Sequence, residues 1–178
     1  MSKKHALVIG GSGMLAGVSR FLAKEGFAVS VVGRNYAKLQ LLKNGCPPES
    51  IFPIQADYNT DLLFTKVKEA INARGPFQII VNWMPNTNAL EQVCQLNKEA
   101  NSFRLVHVKG SRRYFEDEEI QVSTNCLYEE VYLGFILEGD TARWLTHDEI
   151  SGGVIDQIVH GGKSQIIGQL QPYSARPK

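Results

Sequence analysis

Long apolar runs are missing from the 178-residue sequence. The stretch from Ala6 to Ile9 stops at glycines, and no other stretch approaches the roughly 20 residues that a membrane-spanning helix requires. The same shortness leaves no apolar core of a secretory signal behind Lys3 and Lys4, so a cytoplasmic protein is expected. Cysteine is scarce: Cys46, Cys94 and Cys126 stand far apart, with no CxxC and no Cys/His cluster. That spacing holds no metal, and an odd number cannot complete a disulfide framework, so they read as reduced thiols. An excess of either charge is also missing. Nineteen basic against eighteen acidic residues leave a net charge of +1, which draws the chain neither to nucleic acid nor to an anionic membrane and leaves a small molecule as the expected partner. There is no internal repeat, low-complexity stretch or linker. With 43% hydrophobic residues, the length suits one core, and a single domain over 1–178 is expected, fraying from Pro172 to Lys178.

What is present is a regular alternation. Ala6 to Ile9, Ala28 to Val32, Ile51 to Gln55, Gln78 to Val81 and Phe103 to Val108 read as strands. Helical patterns lie between them. The first, Met14 to Lys24, carries Met14, Val18, Phe21 and Leu22 on one stripe and stops at Gly26. Ala37 to Lys43 and Leu62 to Ala73 follow, and a fourth helix begins near Asn88, with Asn88 and Glu91 as its cap. Farther on, Tyr128 to Leu137 reads as a sixth strand, Thr146 to Val159 as a helix opened by a Thr146/Glu149 capping box, and Gln165 to Gly168 as a last strand. This order predicts an α/β fold: a doubly wound parallel sheet of six to seven strands with helices on both faces, the Rossmann architecture.

Gly10, Gly11, Ser12 and Gly13 end the first strand and open the first helix. That context is the one a dinucleotide-binding fingerprint needs: glycine for the tight turn, a bare Cα where backbone approaches pyrophosphate, and free N–H groups at a helix start. Two frames fit, Gly10-x-x-Gly13-x-x-Ala16 and Gly11-x-Gly13-x-x-Ala16, with Ala16 or Gly17 keeping helix close to strand. The candidate cofactor-binding segment thus runs from Gly10 to Met14. After the second strand stand Gly33, Arg34 and Asn35 in place of the acidic residue that an NAD ribose prefers. A guanidinium suits a 2′-phosphate, so NADP is expected over NAD. Arg34 also reads simply as a solvated charge.

These segments together resemble the short-chain dehydrogenase/reductase superfamily, most sharply over the first 110 residues: Val8 to Gly17, Val32-Gly33-Arg34-Asn35, Asp57, and Val81-Asn82. The resemblance implies that Asp57 contacts the adenine and that Asn82 lies by the nicotinamide ribose. A turn-shaping Asp57 and an Asn82 that satisfies buried backbone are the plainer readings. The departures are equally informative. Trp83-Met84-Pro85 replaces the family's Asn-Ala-Gly, and no Tyr-x-x-x-Lys occurs anywhere, so the family's usual proton donor and its lysine partner are absent. The helix that would carry them must fit between Ser111 and Asn125, and the substrate-covering insertion shrinks to Glu138 to Ala142.

What remains near the nicotinamide end is His107, Lys109 and Ser111. Ser111 falls in the family's catalytic-serine region or is a turn serine, Lys109 is a candidate for holding ribose or phosphate, and His107 reads as a buried strand residue. The run Glu116 to Glu119 reads as a solvated helix face, and His147-Asp148 as a helix start whose aspartate compensates the dipole. The resemblance implies an NADP(H)-dependent oxidoreductase passing hydride to a flavin, quinone or small carbonyl. The alternative is a non-catalytic dinucleotide-binding sensor or interaction protein. The helices that commonly pair subunits are the ones shortened here, which leaves a homo-oligomer open.

Overall fold

The computed structural model describes residues 3–178. Strands and helices alternate: β1 (His5–Ile9), α1 (Ala16–Lys24), β2 (Ala28–Gly33), α2 (Tyr36–Leu41), β3 (Ile51–Gln55), α3 (Leu62–Arg74), β4 (Ile79–Asn82), α4 (Thr87–Leu96), β5 (Phe103–Gly110) and α5 (Ser111–Phe115). They are followed by β6 (Cys126–Leu133), the hairpin β7 (Phe135–Glu138) and β8 (Thr141–Trp144), α6 (His147–His160) and β9 (Ser164–Ile167). Seven strands form one parallel sheet in the order β3-β2-β1-β4-β5-β6-β9, with β7 and β8 as a separate antiparallel pair. The expected doubly wound α/β sheet is present, in a single domain.

Side chains alternate across the strands and divide the core in two. Val8, Val31, Val81, Val106 and Val131 face α1 and α6, while Leu7, Ile9, Val32, Ile80 and Leu105 face α3 and α4. Continuous apolar strands are what a sheet covered on both faces demands. Helix α6 is pinned to the sheet by Arg104, whose guanidinium bonds both oxygens of buried Glu129 at 2.7 and 2.8 Å and reaches the Ile158 carbonyl at 2.8 Å. The Gln157 amide completes that site, donating to Glu129 at 2.9 Å.

Several local expectations are corrected. The single strand from Tyr128 to Leu137 breaks at Gly134, where the backbone of Gln169 passes so close that a Cβ would lie 2.3 Å from its carbonyl oxygen. β6 ends there and the chain turns out into the hairpin. Helix α4 is capped by Asn86, which accepts from the Ala89 N–H at 3.0 Å, and not by Asn88. Pro85 ends the preceding bend one residue earlier, and Glu91 instead accepts from the Gln121 N–H at 2.9 Å. Helix α1 starts at Ala16 because residues 11–15 form turns. Between Ser111 and Asn125 only the five residues of α5 are helical, and residues 117–123 run on without regular structure. The tail expected to fray carries a 3-10 turn, Tyr173–Ala175, with the Tyr173 ring 4.7 Å from that of Phe115. Among the described residues, no helix is long and apolar enough to cross a membrane.

Candidate functional site

β1 lies between β2 and β4, so the chain leaves the carboxyl end of β1 on one side of a divide in strand order. A crevice opens at such a point in any doubly wound sheet. Its floor is the turn after β1, with Gly10, Ser12, Gly13 and Met14 facing it. Gly10 has φ +88°, a left-handed value that favours glycine. A Cβ added at Gly13 would meet no protein atom within 4 Å, so this backbone is open to whatever occupies the cleft. Gly11 behaves differently. A Cβ there would stand 2.5 Å from Ser19 Oγ, 2.7 Å from Val8 and 2.9 Å from Val31. Gly11 is therefore the residue that lets α1 seat on the strands, a role the sequence suggested for Ala16 or Gly17. Gly17 instead admits α6, since its Cβ would lie 2.8 Å from Ser151.

The second wall comes from the end of β2 and the start of α2, with Gly33, Arg34, Asn35 and Lys38 lining it. Asn35 caps α2, its side-chain oxygen accepting from the Lys38 N–H at 3.1 Å. That cap sets Lys38 in the first turn of α2, beside Arg34, and the Arg34 guanidinium lies 5.9 Å from the Tyr58 ring centre. Tyr58, Trp83 and His147 close the remaining sides. Among the described residues no carboxylate lines the cleft.

Asp57 and Asn82 do not line it. The Asp57 carboxylate accepts from the Asn59 N–H at 2.9 Å and builds a turn, which carries the neighbouring Tyr58 into the cleft. Asn82 is fully buried, donating to the Met84 carbonyl at 3.0 Å and accepting from the Met84 N–H at 3.1 Å. It holds the bend that places Trp83 against Gly10, at 3.3 Å from where a Cβ would stand.

His107, Lys109 and Ser111 form part of a different cluster, on the sheet face toward α4 and α5. Lys109 is fully buried and its ammonium lies between the carboxylates of Asp117 and Glu130. The Tyr132 hydroxyl lies between the same pair, 2.8 Å from Asp117 and 2.7 Å from Glu130, with its one hydrogen to share. Burial opposes the charge on Lys109, but the two carboxylates outweigh it and hold the ammonium above its ordinary pKa. Lys109 is thus spoken for, and the expectation that it holds a ribose or phosphate is corrected. Asp117 turns inward from the acidic run, which is solvated as expected but is not helical.

His107 Nδ1 lies 2.8 Å from the Tyr128 hydroxyl and Nε2 3.4 Å from Arg113. A guanidinium only donates, so Nε2 accepts and Nδ1 carries the hydrogen. Burial, with the charges of Lys109 and Arg113, pushes the imidazole down to about 3, leaving it neutral. Ser111 opens α5 as a buried residue. None of these three lines the cleft, and no group of three or more metal-ligating side chains occurs among the described residues.

Lys38, Tyr58 and His147 are the cleft residues that the sequence did not single out as binding residues. Lys38 had a local signal, one helical turn after Arg34. His147 had none, because the approach of α6 to α1 joins residues 137 positions apart.

No protein-family model matches the sequence, and no curated protein matches it significantly. Solved structures do. A variant of actinorhodin polyketide ketoreductase determined with NADPH matches with TM-score 0.69 and 13% identity, over 96% of this chain and 98% of that one. An alcohol dehydrogenase from Comamonas testosteroni, specific for bulky-bulky ketones, matches at 0.71 and 13%, over 98% and 90%. An NADPH-dependent reductase involved in bacilysin biosynthesis matches at 0.69 and 15%, over 94% and 100%. The fold of this chain is that of the short-chain dehydrogenases/reductases.

Proposed function

We propose that the cleft binds NADP(H) and that the protein is a cytoplasmic oxidoreductase of the short-chain type. One observation carries the reading: a glycine turn at a helix start and a pair of cations, Arg34 and Lys38, share one cleft with no carboxylate among its described lining residues. An NAD site places an acid where Arg34 stands. Open space above Gly13 fits a pyrophosphate seated on the N–H groups at the start of α1. The planar Arg34 fork suits a 2′-phosphate, with Lys38 adding a second charge and Tyr58 backing the guanidinium. Trp83 forms the wall next to Gly10. One similar structure was determined with NADPH and another is that of an NADPH-dependent reductase, which supports the same cofactor.

The turn at Gly13, with Arg34 and Lys38, would hold the dinucleotide, whose reduced nicotinamide would supply hydride chemistry. The chain's own contribution is positioning. Neither Lys109, locked between carboxylates, nor neutral His107 lies in the cleft to hand on a proton. An acceptor that needs little proton help, a flavin or a quinone, fits best; a small carbonyl would have to draw the proton for its alkoxide from solvent. The same missing dyad favours a second reading, a non-catalytic NADP(H)-responsive protein.

Mixing purified protein with NADPH and a panel of flavins, quinones and small carbonyls, and following loss of reduced-nicotinamide absorbance, separates them. Turnover with one acceptor class is expected. Tight binding without turnover supports the sensor, and no binding overturns both.

A further inference from the structure

We infer that His147, at the first turn of α6, forms a second clamp on the dinucleotide's pyrophosphate, facing the glycine turn across the cleft. This rests on the proposed NADP(H) site and names a further residue of it.

The two helices meet at their amino-terminal ends. Ser151 Oγ donates to the Met14 carbonyl at 2.7 Å, and Gly17 lets the backbones close to the point where a Cβ would lie 2.8 Å from Ser151. His147 precedes Ser151 by four residues, which puts it on the same face of α6, about one 5.4 Å turn nearer the helix start. It therefore stands over the turn formed by Gly13 and Met14 and lines the cleft with them. The start of α6 is well built. Thr146 accepts from the Glu149 N–H at 3.1 Å, and Glu149 accepts from the Thr146 N–H at 2.9 Å.

The charges around His147 favour an anion. On its own helix, Glu149 is paired with Arg143 at 2.7 Å, and Arg143 is shared with Glu138 of the hairpin at 2.8 Å. Asp148 is the remaining carboxylate of that turn; it points away from the His147 face by helical geometry and is absent from the cleft lining. The segment in contact, Met14 to Gly17 at the turn and start of α1, carries no charge. Across the cleft stand Arg34, Lys38 and the phenol of Tyr58. A protonated imidazole here faces a pyrophosphate from the side opposite the α1 N–H groups, with the partial positive end of a 14-residue helix behind it.

The test is a titration of NADPH into the intact protein, followed by nicotinamide fluorescence, at about pH 6 and about pH 8, the range over which histidine changes charge. His147→Gln, His147→Lys and, as a control remote from the cleft, His160→Gln are compared with the parent. Taking each variant relative to the parent cancels the titration of the 2′-phosphate. His147→Gln should weaken binding roughly tenfold at the lower pH and less than about twofold at the higher, the size of one charge-assisted contact. His147→Lys should bind as tightly at both, and His160→Gln should match the parent; melting temperatures check that each variant is folded. Unchanged affinity in His147→Gln, or an equal loss at both pH values, overturns the clamp while leaving the NADP(H) site standing. A parent protein that binds no NADPH overturns the site itself.

Discussion

Lys109 is the clearest case of a residue whose role depends on partners far along the chain. The ammonium meets Asp117, eight residues on, and Glu130, twenty-one residues on, with Tyr132 bridging the two acids. Replacing it by methionine leaves two carboxylates facing each other beside a phenol. Complete burial would make that loss about 3–5 kcal/mol, but both acids keep roughly a quarter of their side-chain surface, at 22% and 28%, and rehydrate in part. Lys109→Met should therefore lower stability by roughly 2 kcal/mol, a fall of about 5 °C in melting temperature.

The pH dependence has a definite sign. Asp117 is held below its ordinary 3.8: burial opposes the charge, and the bonds from Lys109 and Tyr132 outweigh it. Its contribution is present above that value and is lost as pH falls through the lower folded-state value. Lys109 is held above its ordinary 10.5, so its contribution is present below that pH and fades as pH rises past the folded-state value. The stability gap between parent and Lys109→Met, measured by urea denaturation, should be widest between those limits and shrink outside them. A constant gap would contradict the network. From the sequence, Lys109 was visible only as a cation at the end of a strand, and nothing local shows that a short crossover folds Asp117 back onto it. Arg34 was legible because its meaning is set by its place directly after β2.

At the scale of elements, the strand-helix alternation was readable because apolar periodicity and caps are local. The capping box of α6 and the left-handed Gly26 after α1 stand where the residues indicate. The break at Gly134 was not readable, since it depends on Gln169 arriving from the far side of α6. The glycine turn combines both kinds of information: its existence is local, but the duties of its members are tertiary. Gly11→Ala and Gly13→Ala separate them. At Gly11 the new methyl meets two strand side chains that cannot both withdraw, and such overpacking costs about 1–3 kcal/mol. At Gly13 it meets no protein atom, so melting should barely change while NADPH affinity falls by tenfold or more as the methyl enters the phosphate's place. A Gly13→Ala protein that binds NADPH unchanged would show that the turn is not the phosphate seat.

For the whole molecule, the sheet order places a crevice between two walls of different chemistry, a glycine turn on one side and a cationic rim on the other. Helix α6 is anchored at its start by Ser151 on Met14 and near its end by the Arg104–Glu129–Gln157 group, so the third side of the crevice is held in place. The shortened α5 removes the long helix that would carry the usual tyrosine-lysine pair. Its place is taken by a charge network that the cleft does not share. The cleft thus brings together a glycine turn and two cations, while Lys109 and His107 lie outside it. The proposed preference for NADP(H) is tested most directly by paired calorimetric titration of NADPH and NADH into the parent and Arg34→Ala proteins. The parent should prefer NADPH by about 10- to 100-fold, the range for a charge-assisted bidentate contact of roughly 1.5–3 kcal/mol, and Arg34→Ala should remove most of that preference while leaving NADH affinity nearly unchanged. Equal loss of both ligands, or no preference in the parent, would contradict it.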